Sequence, residues 1–196
     1  MNSYQEKVRR KLYASSNGKG RERYLHSLGV AKAAVILAQK FYPELDMAKV
    51  HLTGLIHDYA KYETLPRYKE IVSKYQLDKN IFQENDKIYH AILGCYIVKE
   101  ELAIEDEEIL KAILYHAFGN GNMTPLEEVI YLGDFIEENR QGSIFVEVRR
   151  IAATDIKQAI ALEAKFVLEH LSSRQEKIHP NAFLTYQGYK KYLKED

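Results

Sequence analysis

The chain reads as an all-α protein, a single-domain helical bundle. Apolar residues recur at three-to-four spacing along most of its length, no stretch alternates for long enough to make a strand, and all four prolines sit at edges of helical segments. With 196 residues, 46% of them hydrophobic and 29% charged, the chain can bury one substantial core without disulfide staples.

The elements follow in order. From Tyr24, the residues Leu25, Leu28, Val30, Ala34, Ile36, Leu37, Ala38 and Phe41 form one helical stripe, and Pro43 stops it. Residues 15–20 form the clearest flexible loop ahead of it. Val50, Leu52, Leu55 and Ile56 mark a second helix that ends at His57–Asp58. A short helix with Pro66 in its first turn carries Leu65, Tyr68, Ile71, Val72 and Tyr75. Helices are expected over residues 86–102 and 106–115, the second opened by an acidic run where a helix N-terminus favours negative charge. Thr124-Pro125-Leu126-Glu127 is a capping box with proline at the first helical position, opening a helix through Glu138. One long amphipathic helix is expected over residues 145–171, and Pro180 opens a short tyrosine-rich helix at the C-terminal end.

Lys plus Arg and Asp plus Glu both number 28, so the formal net charge is zero. That balance argues against a nucleic acid polymer or an anionic membrane as partner, while leaving room for a small basic pocket. The one cysteine, Cys95, permits no intrachain disulfide and reads as a core residue rather than a nucleophile. The first seven residues lack the apolar stretch of a signal peptide, no apolar run approaches a membrane span, and a cytoplasmic location is expected.

His57–Asp58 is the sharpest local signal. Neighbouring side chains on a helix point about 100° apart, so both reach one metal only near a helix end or kink. The dipeptide alone decides nothing, but four further residues change the weighing. His26 lies on or beside an apolar helical stripe, where an unpaired imidazole is costly. His90 opens a helix, His116 closes the next, and Asp134 sits in the apolar run from Val129 to Ile136. Each has a plain alternative as a satisfied core histidine, a cap or a paired carboxylate. Together they share one explanation, since neutral imidazoles and carboxylates are good ligands for first-row transition ions. His51, His170 and His179 have no place in this pattern.

The ordered set His26, His57–Asp58, His90, His116, Asp134 resembles the HD-domain phosphohydrolases, in the variant whose two extra histidines support a second metal. Arg23-x-x-His26, Leu55-Ile56-His57-Asp58-Tyr59-Ala60-Lys61, and Asp134-Phe135-Ile136-Glu137 followed by Arg140 resemble the bacterial YqeK family of symmetrical dinucleoside tetraphosphate hydrolases. The likeness covers roughly residues 23–150. It implies one HD domain over residues 1–196, with a metal-site core over about 20–150 and C-terminal helices over about 151–196. It also implies two divalent or mixed-valence transition metal ions, iron expected and manganese or cobalt as substitutes. His26, His57, Asp58 and Asp134 would hold the first and Asp58, His90 and His116 the second, with Asp58 bridging. A hydroxide held between them would attack an inner phosphate of a dinucleoside polyphosphate, giving two ADP from diadenosine tetraphosphate.

Lys61, Arg140 and Arg23 are the candidate cations for substrate binding and charge stabilisation, with surface solvation as the plain alternative. Glu137, one turn from both Asp134 and Arg140, would orient the arginine or make a surface salt bridge. Two departures from the family pattern stand out. Ala117-Phe118-Gly119 follows His116 where the family tends to show Thr-Thr-Gly, and Gly133 and Glu138 stand where alanine and proline are common. Neither touches an expected ligand, but the missing hydroxyls bear on substrate contacts. Rival functions are an HD phosphohydrolase for a nucleoside monophosphate, a triphosphate or guanosine tetraphosphate, a non-catalytic nucleotide-binding module, and a metal-free structural protein. The long helix from Phe145 and the C-terminal segment either pack on the core or form a homodimer contact.

Overall fold

The computed structural model describes residues 3–15 and 18–194, which form eleven α-helices and three 3-10 turns, with no strand among the described residues. The longest element, α2 (Gly20–Phe41), has 22 residues and spans about 33 Å. α3 (Met47–Ile56) and α8 (Pro125–Ile136) lie against it, and small residues permit the approach. A Cβ on Gly54 of α3 would stand 2.7 Å from Ala31 Cα, and one on Gly133 of α8 would stand 3.3 Å from Ala34 N. These contacts bring the backbones of α3 and α8 onto α2, and that closeness fixes where side chains at the ends of α3 and α8 meet.

Two of the expected long helices are broken. The segment over 86–102 is a 3-10 turn (Asp86–Ile88), then α5 (Tyr89–Ile92) and α6 (Gly94–Leu102), interrupted at Leu93 (φ −100°, ψ −13°). The stretch over 145–171 is α9 (Ser143–Ala152) and α10 (Ile156–Ser173). Thr154 turns back to Ile151 O at 3.2 Å, and Asp155 caps α10 by accepting from Gln158 N at 2.9 Å. This local capping overrides the continuous apolar pattern.

Other expectations hold closely. Asp106 caps α7 (Glu107–Tyr115), Thr124 and Glu127 form the reciprocal capping box, and Pro180 opens α11 (Pro180–Tyr189). α4 (Leu65–Lys74) carries its proline in the first turn behind the Thr64 cap. α8 stops two residues early, at Ile136, because Glu137 turns extended (ψ 152°). The sequence reading missed α1 (Ser3–Ser15), a highly charged helix whose Val8 and Leu12 are fully buried against Tyr24 and Leu55. The loop expected over 15–20 is shorter, since α1 reaches Ser15 and α2 starts at Gly20; Ser16 and Asn17 lie outside the described residues. Leu25 and Ile36 point outward, so the apolar face of α2 is narrower than its sequence suggests.

Two large apolar clusters build the interior. One joins α1, α4, α6 and α7 to Leu55 and Ile56; the other joins α8, α9 and α10 to Ala34, Leu37 and Val50. The buried Glu128 ties the C-terminal part to α8 by accepting from Tyr42, Tyr189 and Lys157. Among the described residues, no helix is long and apolar enough to cross a membrane.

Two outcomes follow from this packing. Gly54→Ala forces α3 off α2 and should cost about 1–3 kcal/mol in urea unfolding; unchanged stability would contradict the close approach. Glu163 of α10 is buried with one carboxylate oxygen unpartnered, and burial first, then Asp134, push its carboxyl well above the usual range. A raised folded pKa contributes stability that is fully present below the unfolded value and lost as pH rises through the folded one. Glu163→Gln should therefore gain thermal stability over the parent as pH rises from 5 to 8, and a gain that shrinks with pH would count against this.

Candidate metal centre

Five elements each deliver their part to one point. His26 comes from the buried side of α2, and His57 and Asp58 from the turn that ends α3. His90 lies in α5, His116 at the C-cap of α7, and Asp134 near the end of α8. The chain leaves helical geometry after Ile56, where Tyr59 N donates to Ile56 O and Lys61 N to Asp58 O, so adjacent His57 and Asp58 face the same centre. The histidines and Asp58 are all buried, and Asp134 is partly so.

Asp58 divides the set. Its Oδ2 is 3.4 Å from His57 Nε2 and 3.7 Å from His26 Nε2, while its Oδ1 is 2.9 Å from His90 Nε2 and 3.6 Å from His116 Nε2. The ligand atoms of His26, His57 and Asp134 all lie within 4.8 Å of one another, as do those of His57, Asp58 and His116. His90 adjoins the second group, with Nε2 3.1 Å from His116 Nε2.

Most rings are fixed from behind. His57 Nδ1–H donates to Gly54 O at 2.7 Å and His116 Nδ1–H to Ile113 O at 2.6 Å. Because a carbonyl only accepts, each Nε2 presents a lone pair to the centre. His26 Nδ1 faces Glu137 Oε1 at 3.2 Å, and its Nε2 lies 3.0 Å from Asp134 Oδ1. Burial pushes His57 down, and burial with the neighbouring Lys61 pushes His90 down to about 3, so both imidazoles are neutral near pH 7. Burial opposes charge on His26, but Asp134 and Glu137 outweigh it and raise that imidazole. Burial also opposes ionisation of Asp58, yet Lys61, His57 and His90 hold it well below the usual carboxylate range.

Three buried polar atoms here, His26 Nε2, His57 Nε2 and Asp58 Oδ1, have no hydrogen-bond partner. Unsatisfied, each is costly; neutral imidazoles and carboxylates converging in two groups are the donor set that transition metal ions accept. The residues present therefore fit a metal centre.

The three candidate cations stand around it. Arg23 Nη1 is 2.7 Å from Asp58 Oδ2, Lys61 Nζ is 3.0 Å from His90 Nε2, and Arg140 Nη2 is 2.8 Å from Asp134 Oδ1. Arg23, Lys61 and His90 also line a cleft of about 1030 Å³, together with Lys19, Tyr62 and Tyr89. Lys19 and Tyr62 gave no signal in the sequence. Glu137 does something different from either expectation. It is 2% exposed, its Oε2 accepts from Asn139 N at 2.8 Å, and its Oε1 meets His26 rather than Arg140. A Cβ on Gly29 would reach 2.5 Å from Glu137 Oε2, so that glycine makes room for the carboxylate. Arg149, also missed, donates to the carbonyls of Ile136, Glu137 and Arg140 at 2.6–2.7 Å and holds the turn that presents Arg140. His51 and His170 are exposed, and His179 caps α11 by accepting from Asn181 N.

Comparison with known proteins agrees with this geometry. The HD domain family matches residues 23–159. The symmetrical bis(5'-nucleosyl)-tetraphosphatase of Bacillus subtilis is 37% identical over 164 residues, covering 84% of this chain and 87% of that protein. Its counterpart in Halalkalibacterium halodurans is 35% identical with the same coverage. A crystal structure from Clostridium acetobutylicum, described as that of a predicted HD superfamily hydrolase involved in NAD metabolism, superposes with a TM-score of 0.84 at 30% identity, covering 97% of this chain and 98% of that one. The chain thus belongs to the HD-domain hydrolases and, within them, to the YqeK family of symmetrical bis(5'-nucleosyl)-tetraphosphatases.

Proposed function

We propose that this protein hydrolyses dinucleoside tetraphosphates symmetrically, splitting diadenosine tetraphosphate into two ADP, with two transition metal ions, iron being the expected one. The observation that carries this reading is the buried Asp58 carboxylate, whose two oxygens face separate histidine groups beside a cleft lined by cations. The names of the relatives supply the substrate class. His26, His57, Asp58 and Asp134 would hold one ion, and Asp58, His90 and His116 the other. Bound there, the ions supply Lewis acidity toward water and phosphate oxygens near neutral pH.

The chain's own groups do the rest. Asp58 stays ionised, its Oδ2 accepting from Arg23 and its Oδ1 facing His90 and His116. Glu137 holds His26 in one orientation through Nδ1, as the Gly54 and Ile113 carbonyls do for His57 and His116. Lys61 on the His90 flank, and Arg23 and Arg140 on the His26 flank, are preorganised positive charges for the phosphates. A tetraphosphate that bridges these flanks places its inner phosphates over Asp58, and its two nucleosides diverge. ADP is a stable anion, so its departure depends chiefly on charge neutralisation at the inner oxygens.

Incubation of the protein with diadenosine tetraphosphate under anaerobic ferrous iron, and separately manganese or cobalt, followed by chromatography, tests this. ADP should be the sole nucleotide product; ATP plus AMP would refute symmetrical cleavage. Asp58→Ala should lose bound metal and turnover together, read by elemental analysis beside the rate. Lys61→Ala should keep its metal while kcat falls roughly a hundredfold or more; loss of metal instead would make Lys61 a structural partner of His90.

A further inference from the structure

Symmetrical cleavage requires that each nucleoside stand two phosphates from the bond that breaks, so both halves of the substrate need a place. The cleft on the Lys61 side offers one. A second cavity of about 450 Å³, lined from α8, α9 and α10 and also from residues around Lys87, Phe118 and His179, has Arg140 in its wall and falls within the range of about 300–1,000 Å³ typical of small-ligand sites. We infer that this second cavity takes one nucleoside of the substrate, its base stacking on Phe145 and Phe166. The inference rests on the reading of the substrate as a dinucleoside polyphosphate.

Four rings make its wall. Phe135 and Phe145 centroids are 4.8 Å apart, Phe135 and Phe166 are 6.0 Å apart, and Phe166 and His170 are 5.6 Å apart, inclined by 21°. Phe145 and Phe166 are half-buried and meet the second apolar cluster through Phe135, leaving part of each ring toward the cavity. Base–aromatic stacking uses rings placed in this way beside cations that track a phosphate chain. Two such cations join the cavity to the centre. Arg140 lines it, has its guanidinium 6.0 Å from the Phe145 ring centroid, and contacts Asp134; Lys87 lines both this cavity and the cleft.

Ala117 and Phe118 also line the cavity. Phe118 is stacked on His179 at 4.2 Å, so a hydroxyl-free surface faces the space. At the rim, Glu176 accepts from Asn85 at 3.2 Å and pairs with Lys87 at 2.7 Å, placing polar groups where a base edge or ribose would meet water.

The test is ADP binding to the metal-loaded protein by titration calorimetry, with no turnover needed. Wild type should bind two ADP per chain. Phe166→Ala should lose one site, or weaken it by roughly 5- to 150-fold, the range that loss of one stacked base gives, and the KM for diadenosine tetraphosphate should rise with it. Phe166→Tyr should keep both sites. Phe145→Ala is read in the same way, so a folding defect in one variant leaves the other to decide. A single ADP in wild type, or two undiminished sites in both alanine variants, would overturn the inference. Two ADP sites with ATP plus AMP as products would retire symmetrical cleavage and leave the cavity assignment standing; one ADP site with ADP as sole product would do the reverse.

Discussion

The structure depends on keeping Asp58 ionised where almost no water reaches it. An unpaired buried carboxylate costs several kcal/mol; here Arg23 pairs with Oδ2 at 2.7 Å, while Oδ1 has Lys61 Nζ at 3.9 Å and His90 Nε2 at 2.9 Å. These neighbours, with His26, His57 and His116, come from four stretches of chain: α2, the turn after α3, α5 and α7. No one of them can drift without leaving part of the charge uncompensated. The close approach of α3 and α8 to α2 is therefore a requirement of the site as much as of the core. Ala31, Ala34, Gly54 and Gly133 hold the backbones near enough for short side chains to meet.

Charge is distributed unevenly around this point. Zero net charge gives the chain no long-range pull on a polyanion, yet Lys19, Arg23 and Lys61 line the cleft, and Arg140 joins Lys19 and Arg23 in the pocket beside it. Elsewhere the acids are occupied locally: Glu100 with Arg67 and Lys74, Glu6 with Arg9 and Arg10, Glu176 with Lys87 and Arg174. In the proposed function, capture of a phosphate chain is therefore a short-range affair at the mouth, where low dielectric strengthens each contact.

Most of the helices, and the six histidine and aspartate residues that converge on one centre, were legible in the sequence because both leave periodic or compositional traces. Apolar spacing marks a helix, and a histidine or aspartate on an apolar face is conspicuous. What escaped were features set by single local interactions or by contacts distant in sequence. Asp155 splits α9 from α10 through one side-chain cap within an unbroken apolar pattern. α1 was hidden because only two of its residues are fully buried apolar ones. Glu137 lies three residues from both Asp134 and Arg140, which suggested a partner on its own helix, but its partner is His26, 111 residues earlier, reached through the gap that Gly29 leaves. Arg149 acts only on backbone carbonyls, and no side-chain pattern announces that.

His57 and His116 do two jobs with two nitrogens. Each sits just past the last residue of its helix and returns its Nδ1–H to a carbonyl three residues back, in the turn where helix carbonyls lack partners. The imidazole is thus a helix stop and, in the proposed metal centre, a ligand in one group. Its orientation is set by the backbone of its own helix, so an ion can enter without first ordering the rings. The reverse also holds: removing either ring frays a helix end while emptying a coordination position, and the two losses cannot be separated by truncation. An asparagine or glutamine at these positions, able to satisfy the carbonyl while offering a poorer ligand, is the replacement that would divide one role from the other.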